Sequence, residues 1–224
     1  MKNAKMVKPS LVEVVTWLWR SRWVQRYNSQ RDAKMYDLVA RYYFGRQKLA
    51  LQISSVFLKY IKSPSQSIIC DRAAGTGIIT EALINAGFKV RASDISKDQL
   101  LELSARFKDV EIAEDDLNGL MVGVGDGVFD GLVAVAADRF MTTNGQEIFV
   151  QEARRVLKDR GILVWPLILG EYVGKIKHGL NWQNSLSARI KLLEKNGFKI
   201  LSKEFKFNGI SPAAICRIIV AIKL

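Results

Sequence analysis

Histidine occurs once and cysteine twice in these 224 residues, so the chain is short of the side chains that hold most transition metals. Cys70 and Cys216 each lie inside an apolar, strand-like run. They make neither a disulfide framework nor a zinc site, and a reducing, cytoplasmic compartment is the expectation. Long hydrophobic runs are missing too. The longest apolar run that escapes charge, Ile162 to Gly170, has nine residues, about half of what a bilayer span needs. The basic and then apolar start of the chain imitates a secretion leader, but Glu13 interrupts it, Arg20 and Arg22 end it, and no small-residue cleavage site follows. It reads as a helix starting after Pro9 and Ser10. Leu11, Val14, Val15, Leu18 and Arg22 fall on one face, with Trp17, Trp19 and Trp23 spread around it. There is no internal repeat and no low-complexity segment.

What is present describes one soluble globular domain with a sizeable core: 49% of residues are hydrophobic and 25% charged. The net charge of +12 is unevenly spread. Residues 1–67 carry 13 Lys/Arg against 3 Asp/Glu, residues 68–150 carry 7 against 14, and residues 151–224 carry 14 against 5. Basic flanks around an acidic middle fit an anionic substrate or surface, or simply solvated helix faces.

The pattern is helical from 31 to 62, through Met35, Leu38, Val39 and Tyr42 and then Leu49, Ile53, Val56, Phe57 and Tyr60. Ser63-Pro64-Ser65 breaks it. Strands and helices then alternate. Strands are expected at 67–71, 88–93, 110–113, 128–136, 162–169, 198–207 and 213–222. Helices are expected at 78–86, after a Ser96/Gln99 capping box, at 147–157 and at 185–195. The fold class is α/β, a Rossmann-like doubly wound, mostly parallel sheet preceded by N-terminal helices.

The loop Asp71-Arg72-Ala73-Ala74-Gly75-Thr76-Gly77 joins the first strand to its helix, and Asp94 ends the next strand. In such sheets ligands bind at the carboxyl ends of the strands, glycines let the backbone approach the ligand, and a carboxylate placed like Asp94 can accept both ribose hydroxyls. A dinucleotide fingerprint would need glycine at position 80, which is threonine, so NAD is disfavoured.

Asp71 with this x-G-x-G loop resembles motif I of the class I S-adenosylmethionine-dependent methyltransferases. Four further segments resemble the family in the same order: Asp94-Ile95, Asp115-Asp116, Phe129-Asp130-Gly131-Leu132-Val133, and Glu152 to Gly161. The resemblance implies a seven-stranded sheet with the last strand antiparallel, and S-adenosyl-L-methionine as cofactor. It implies cofactor contacts from Asp71, Ala73, Gly75, Thr76, Gly77, Asp94, Ile95 (against the adenine), Asp115 or Asp116 (near its amino group) and Ala136. Ala73 with Gly75-Thr76-Gly77, and Tyr36 in Tyr36-Asp37-Leu38, resemble the ubiquinone/menaquinone-biosynthesis C-methyltransferase branch, whose tyrosine would touch the cofactor. The chain departs from that pattern at Ile78, at Ala136-Ala137-Asp138-Arg139 and at Asp159-Arg160. The division implied is an N-terminal helical lid or substrate segment at 1–62 and a cofactor-binding domain at 63–224.

Methyl transfer is an in-line displacement, so alignment and desolvation carry much of it, and a base is needed only where the acceptor must lose a proton. Asp138 past the fourth strand and His178 in the 170–184 loop are the candidates, with Tyr172 and Trp182 as possible walls for an acceptor. No Asn/Asp-Pro-Pro-Tyr follows the fourth strand, no metal is implied, and neither cysteine is placed as a nucleophile. The expected reaction is methylation of a small apolar or anionic acceptor. RNA methylation through the basic flanks, and a non-catalytic scaffold meeting an anionic membrane surface through the tryptophan-rich N-terminus, are the alternatives.

Overall fold

The computed structural model describes residues 8–14, 30–137, 141–168, 182–207 and 215–224. The first helical turn, residues 11–14, opens with a reciprocal cap. The Ser10 hydroxyl accepts the Glu13 N–H at 3.2 Å, and the Glu13 carboxylate accepts the Ser10 N–H at 2.7 Å. The stretch expected as one helix over 31–62 is two, α1 (Gln30–Tyr42) and α2 (Arg46–Tyr60). Gly45, at φ +65°, turns the chain between them. Both helices keep the same three-and-four spacing, so periodicity alone did not register the break.

There follow β1 (Ile68–Arg72), α3 (Ile78–Asn85), β2 (Lys89–Asp94), α4 (Lys97–Arg106), β3 (Glu111–Glu114) and β4 (Phe129–Val133). α5 (Thr143–Val156), β5 (Leu157–Ile168), α6 (Trp182–Lys195), β6 (Phe198–Phe207) and β7 (Ile215–Lys223) complete the order. The seven strands lie in the order β3-β2-β1-β4-β5-β7-β6. β1 to β5 pair in parallel, and β7 runs antiparallel to both β5 and β6, as expected.

The two faces of the sheet follow from the period-two alternation of strand side chains. Ile69, Val133, Val164, Ile218 and Val220 enter one core with Ala40 of α1, Ile53 and Phe57 of α2, and Leu83 of α3. Their strand neighbours Cys70, Leu132, Leu163, Ile219 and Ala221 enter the opposite core with Phe149 of α5 and Leu193 of α6. α2 is therefore part of the central core rather than an appendage to it.

The family-like segments have structural duties that hold the site-bearing strands. Asp130 accepts the first N–H of β1, from Ile68, at 2.9 Å, and accepts from the Lys158 ammonium through both oxygens. Glu152, almost fully buried, binds the Arg155 guanidinium through both oxygens and accepts the Met121 N–H at 2.8 Å. Arg155 in turn reaches the Val124 carbonyl. The long connection from β3 to β4 is thereby fixed to α5.

Two local expectations need correction. β5 opens at Leu157, directly after α5, and not at Ile162; its pairing with β4 slips between Phe129↔Leu157 and Gly131↔Ile162. Lys158 to Arg160 form the resulting bulge, with Arg160 at φ +64°. The capping box at Ser96/Gln99 is only half made. Ser96 Oγ accepts the Gln99 N–H, but the Ser96 N–H goes to Asp94 and the buried Gln99 side chain makes no return bond.

At Gly131 a Cβ would stand 2.5 Å from Phe57 Cε1 and 2.9 Å from Ile69 Cδ1, both fully buried. Gly131→Ala is expected to cost about 1–3 kcal/mol in urea denaturation through overpacking. Arg160→Gly, which relieves a left-handed backbone at an exposed position, is expected to leave stability unchanged or raise it by about 1 kcal/mol in the same measurement.

Candidate functional site

The strand order reverses direction between β1 and β4, and this switch point is where an open α/β sheet leaves a crevice at its carboxyl edge. Both central strands end there in the same unusual way. Ala73, just after β1, has φ +68°, and Ala136, just after β4, has φ +58°. Positive φ costs an alanine about 1–2 kcal/mol, so the surrounding structure over-determines both turns.

In the loop from β1 to α3, positive φ recurs at alternate residues: Ala73, then Gly75 (φ +57°), then Gly77 (φ +87°). The N–H groups of Ala74 and Gly77 are taken by the Ser93 and Ala74 carbonyls, which holds the loop in this shape. Gly77 is fixed by close approach, since a Cβ there would lie 2.9 Å from the Phe107 ring and 3.1 Å from Leu103 Cγ of α4. Gly75 is held from below by the Asp94 carboxylate, which accepts its N–H at 2.8 Å and the Ser96 N–H at 2.9 Å. Burial raises the Asp94 carboxyl above the usual carboxylate range, against the opposing pull of these backbone donors. Ile95, next to it, is 62% exposed and offers an uncovered apolar shelf beside the carboxylate.

Beneath the loop, Asp71 is fully buried. Its Oδ2 accepts the Thr80 hydroxyl at 2.6 Å, while its Oδ1 has no partner among the described residues. Burial pushes its carboxyl up to about 7, with the Asp94 charge adding to the effect and the Thr80 bonds opposing it.

Above the loop stands an ion cluster that sequence reading missed. Asp37 of α1 is buried; it accepts the Thr76 hydroxyl at 2.5 Å and the Arg41 Nε at 2.7 Å, and pairs with Arg106 of α4 at 3.3 Å. Glu81 of α3 takes the other ends of both arginines, Arg41 at 2.5 Å and Arg106 at 3.1 Å. Arg106 also donates to the Thr76 carbonyl at 2.8 Å. The i,i+4 pair Asp37/Arg41 was visible in the sequence. The partners from α3 and α4 were not, because nothing in the order of residues brings them there.

A second missed residue is Arg72. It is fully buried, binds both oxygens of Asp115 at 2.5 and 3.0 Å, and donates to the carbonyls of Asp116 and Gly119. Ser93 donates to Asp115 as well, at 3.2 Å. Of the acidic pair, Asp115 is thus engaged with β1 and β2, whereas Asp116 is exposed at the rim, where it accepts the Asn118 N–H. Tyr36 is half-buried against the core beside Asp37.

The structure therefore brings Tyr36, Asp71, Ala73, Gly75, Thr76, Gly77, Asp94, Ile95, Asp115, Asp116 and Ala136 to the carboxyl edge of β1, β2, β3 and β4 or to α1 above it. Asp138 and His178, and Tyr172 of the same loop, lie outside the described residues; of Trp182 only the backbone is described, as the first residue of α6. Among the described residues no cluster of three or more His, Cys, Asp or Glu could hold a metal ion. Burial raises the Cys70 thiol far above its ordinary value, which leaves it inert.

Residues 69–161 match the family model described as "Methyltransferase domain". A search of curated protein sequences returns no match. Among solved structures, the chain is similar to a TehB-like SAM-dependent methyltransferase from Corynebacterium glutamicum, at 18% identity over 87% of this chain and 97% of that one, with a TM-score of 0.62. It is equally similar to magnesium protoporphyrin IX methyltransferase from Synechocystis with bound SAM, at 18% identity over 100% of both chains and a TM-score of 0.62. The glycopeptide N-methyltransferase MtfA complexed with SAM aligns at 11% identity over 78% of this chain and 94% of that one, with a TM-score of 0.61. At these identities the structural likeness establishes the shared fold.

The raised Asp71 carboxyl sets a pH dependence. The folded state keeps a proton on it up to about pH 7, whereas the unfolded chain releases one near 3.8, so its ionisation opposes folding increasingly as pH rises through that window. Asp71→Asn removes the ionisation. The stability of this variant relative to wild type is expected to rise between pH 5 and pH 8 in urea denaturation, and a flat difference would show that Asp71 ionises without penalty.

Proposed function

We propose that this chain, whose residues 69–161 match a methyltransferase domain, is an S-adenosylmethionine-dependent methyltransferase that methylates a small apolar or anionic acceptor held between the loop after β1 and the N-terminal helices. The observation that carries this reading is the convergence, at the switch point, of a backbone with alternating positive φ on the Asp94 carboxylate. Those residues fit the cofactor. Asp94 has spent its bonds on backbone N–H groups and keeps acceptor capacity for ribose hydroxyls, since a carboxylate offers about four lone-pair sites. Ile95 supplies an apolar face for the adenine, and Asp116, exposed where Asp115 is committed to Arg72, is the acceptor for its amino group.

When bound, S-adenosylmethionine supplies a methyl group activated on a sulfonium. The chain's own part is to align and to exclude water. The Asp37 cluster fixes Thr76 and so the curvature of the loop, while α1 covers it from above. Asp138 and His178 are the groups assigned to orient or deprotonate the acceptor. The branch resembling the quinone C-methyltransferases rests on Tyr36, Ala73 and Gly75-Thr76-Gly77. Ala73 supports it structurally, because the left-handed turn is kept without glycine. Among the described residues no helix is long and apolar enough to cross a membrane.

Calorimetric titration with S-adenosylmethionine and S-adenosylhomocysteine, with NAD as control, tests the assignment. Wild type is expected to bind both with micromolar affinity and to ignore NAD, and Asp94→Ala is expected to weaken binding at least tenfold. Absence of binding to the wild type would remove the proposed activity.

A further inference from the structure

Four arginines among the described residues are buried: Arg41, Arg46, Arg72 and Arg189. Three have an evident counterpart. Arg41 pairs with Asp37 and Glu81, Arg72 with Asp115, and Arg189 lies 3.9 Å over the Trp165 ring. Arg46 has none. It is 5% exposed, its Nη1 is buried, and no carboxylate, carbonyl or hydroxyl among the described residues accepts from its guanidinium. A guanidinium keeps its charge in proteins, so this group cannot escape the desolvation penalty by losing a proton as a buried carboxyl or lysine does.

A second feature marks the same place. Arg46 is the first residue of the fifteen-residue helix α2, whose N-cap is Gly45, without a side-chain cap, and whose first turn contains no acidic residue. The positive end of the helix dipole and its leading N–H groups are therefore left without the anion or cap that usually answers them. Arg41 Nη2, at the end of α1, is likewise buried without a partner.

The chain path sets this point at the carboxyl rim of the sheet. α2 runs into the Pro64–Gln66 turn and then into the start of β1, so its last turn lies at the amino edge of the strands. Fifteen residues at 1.5 Å each carry its first turn about 20 Å back toward the opposite edge, where Asp37 meets Thr76.

We infer that Arg46 and the uncapped N-terminus of α2 form an oxyanion-binding site at the rim of the methyl-transfer crevice, for a carboxylate or phosphate group. Its position at the crevice rests on the function proposed above; its affinity for anions does not. The oxyanion has two possible sources, a group on the acceptor or the carboxylate of the cofactor's methionyl tail. A desolvated cation without a counter-ion destabilises the free protein, so the site trades stability for binding.

The test uses the full chain and four proteins: wild type, Arg46→Met, Arg46→Lys, and Lys48→Met as an exposed-charge control on the same turn. Thermal unfolding is followed in anion-poor buffer and with inorganic phosphate or acetate. Binding of S-adenosylhomocysteine is compared with that of 5′-methylthioadenosine, which lacks the carboxylate. Arg46→Met is expected to raise Tm in anion-poor buffer and to lose the Tm increase that phosphate or acetate gives wild type. Arg46→Lys should retain part of that increase, and Lys48→Met all of it. A tenfold or greater loss of S-adenosylhomocysteine affinity with 5′-methylthioadenosine unaffected would assign the anion to the cofactor. Unchanged affinity for both, with the anion response lost, would assign it to the acceptor. The inference is overturned if neither anion stabilises wild type, or if Arg46→Met lowers Tm and still responds to anions as wild type does. Failure of wild type to bind S-adenosylhomocysteine while phosphate still stabilises it would sink the proposed function alone.

Discussion

The crevice depends on one buried carboxylate. Asp37 is tolerated there because Arg41, Arg106 and the Thr76 hydroxyl converge on it from two helices and a loop. Removing any partner would strand another charge, which is far more costly than the net worth of the pairs themselves. The cluster thus specifies geometry more than it adds stability. It sets α1 over the loop, it holds the carbonyl of Thr76 through Arg106, and through Glu81 it ties the first turns of α3 to the same point. Burial disfavours charge on Arg41, but the hydrogen bonds and charges of Asp37 and Glu81 outweigh this and hold its guanidinium protonated more firmly than usual.

On the opposite face of the sheet a second arrangement does the corresponding work for the β3–β4 side. Arg72 binds Asp115 and two carbonyls, and its guanidinium lies 5.8 Å from the Phe149 ring. Phe149 in turn sits 4.9 Å from Trp165 of β5, and Arg189 covers the far face of this group from α6. A cation, two aromatic rings and a cation span the layer from the loop beside the crevice to the helix that follows the 169–181 segment. The walls of the crevice are therefore anchored in both cores.

Where the chain departs from the pattern it resembles, the backbone keeps what the fold requires. Ala73 and Arg160 lie in segments that resemble the family, and both are held at positive φ, where glycine is the residue that fits without strain. The strain at Ala73 is sustained by the bonds of the next two residues, the Ala74 N–H to the Ser93 carbonyl and the Gly75 N–H to the Asp94 carboxylate. The strain at Arg160 belongs to the bulge that brings β5 into register with β4 after α5. Asp71 and Arg46 belong with these two as features that cost the folded state something. Each is a buried polar group with an atom left unmatched.

The sequence by itself determined the layers. Apolar strand runs alternating with helices placed the sheet and its covering helices, and the spacing of Gly75, Gly77 and Asp94 located the crevice, because these signals are local; which side chains of a continuous apolar strand enter which core was decided by how the strands pair and pack. The sequence did not show the break at Gly45, since two helices of equal period read as one, nor the early start of β5, since Lys158 to Arg160 look like a turn and only the pairing of Leu157 with Phe129 shows that the strand has already begun. The roles of Asp37, Arg72 and Arg46 were decided only by tertiary structure. A charged residue reads as solvated surface until the fold shows that it is buried, and whether its counter-ion comes from α4, from the loop after β3, or from no residue described in the chain is set by elements far apart in sequence.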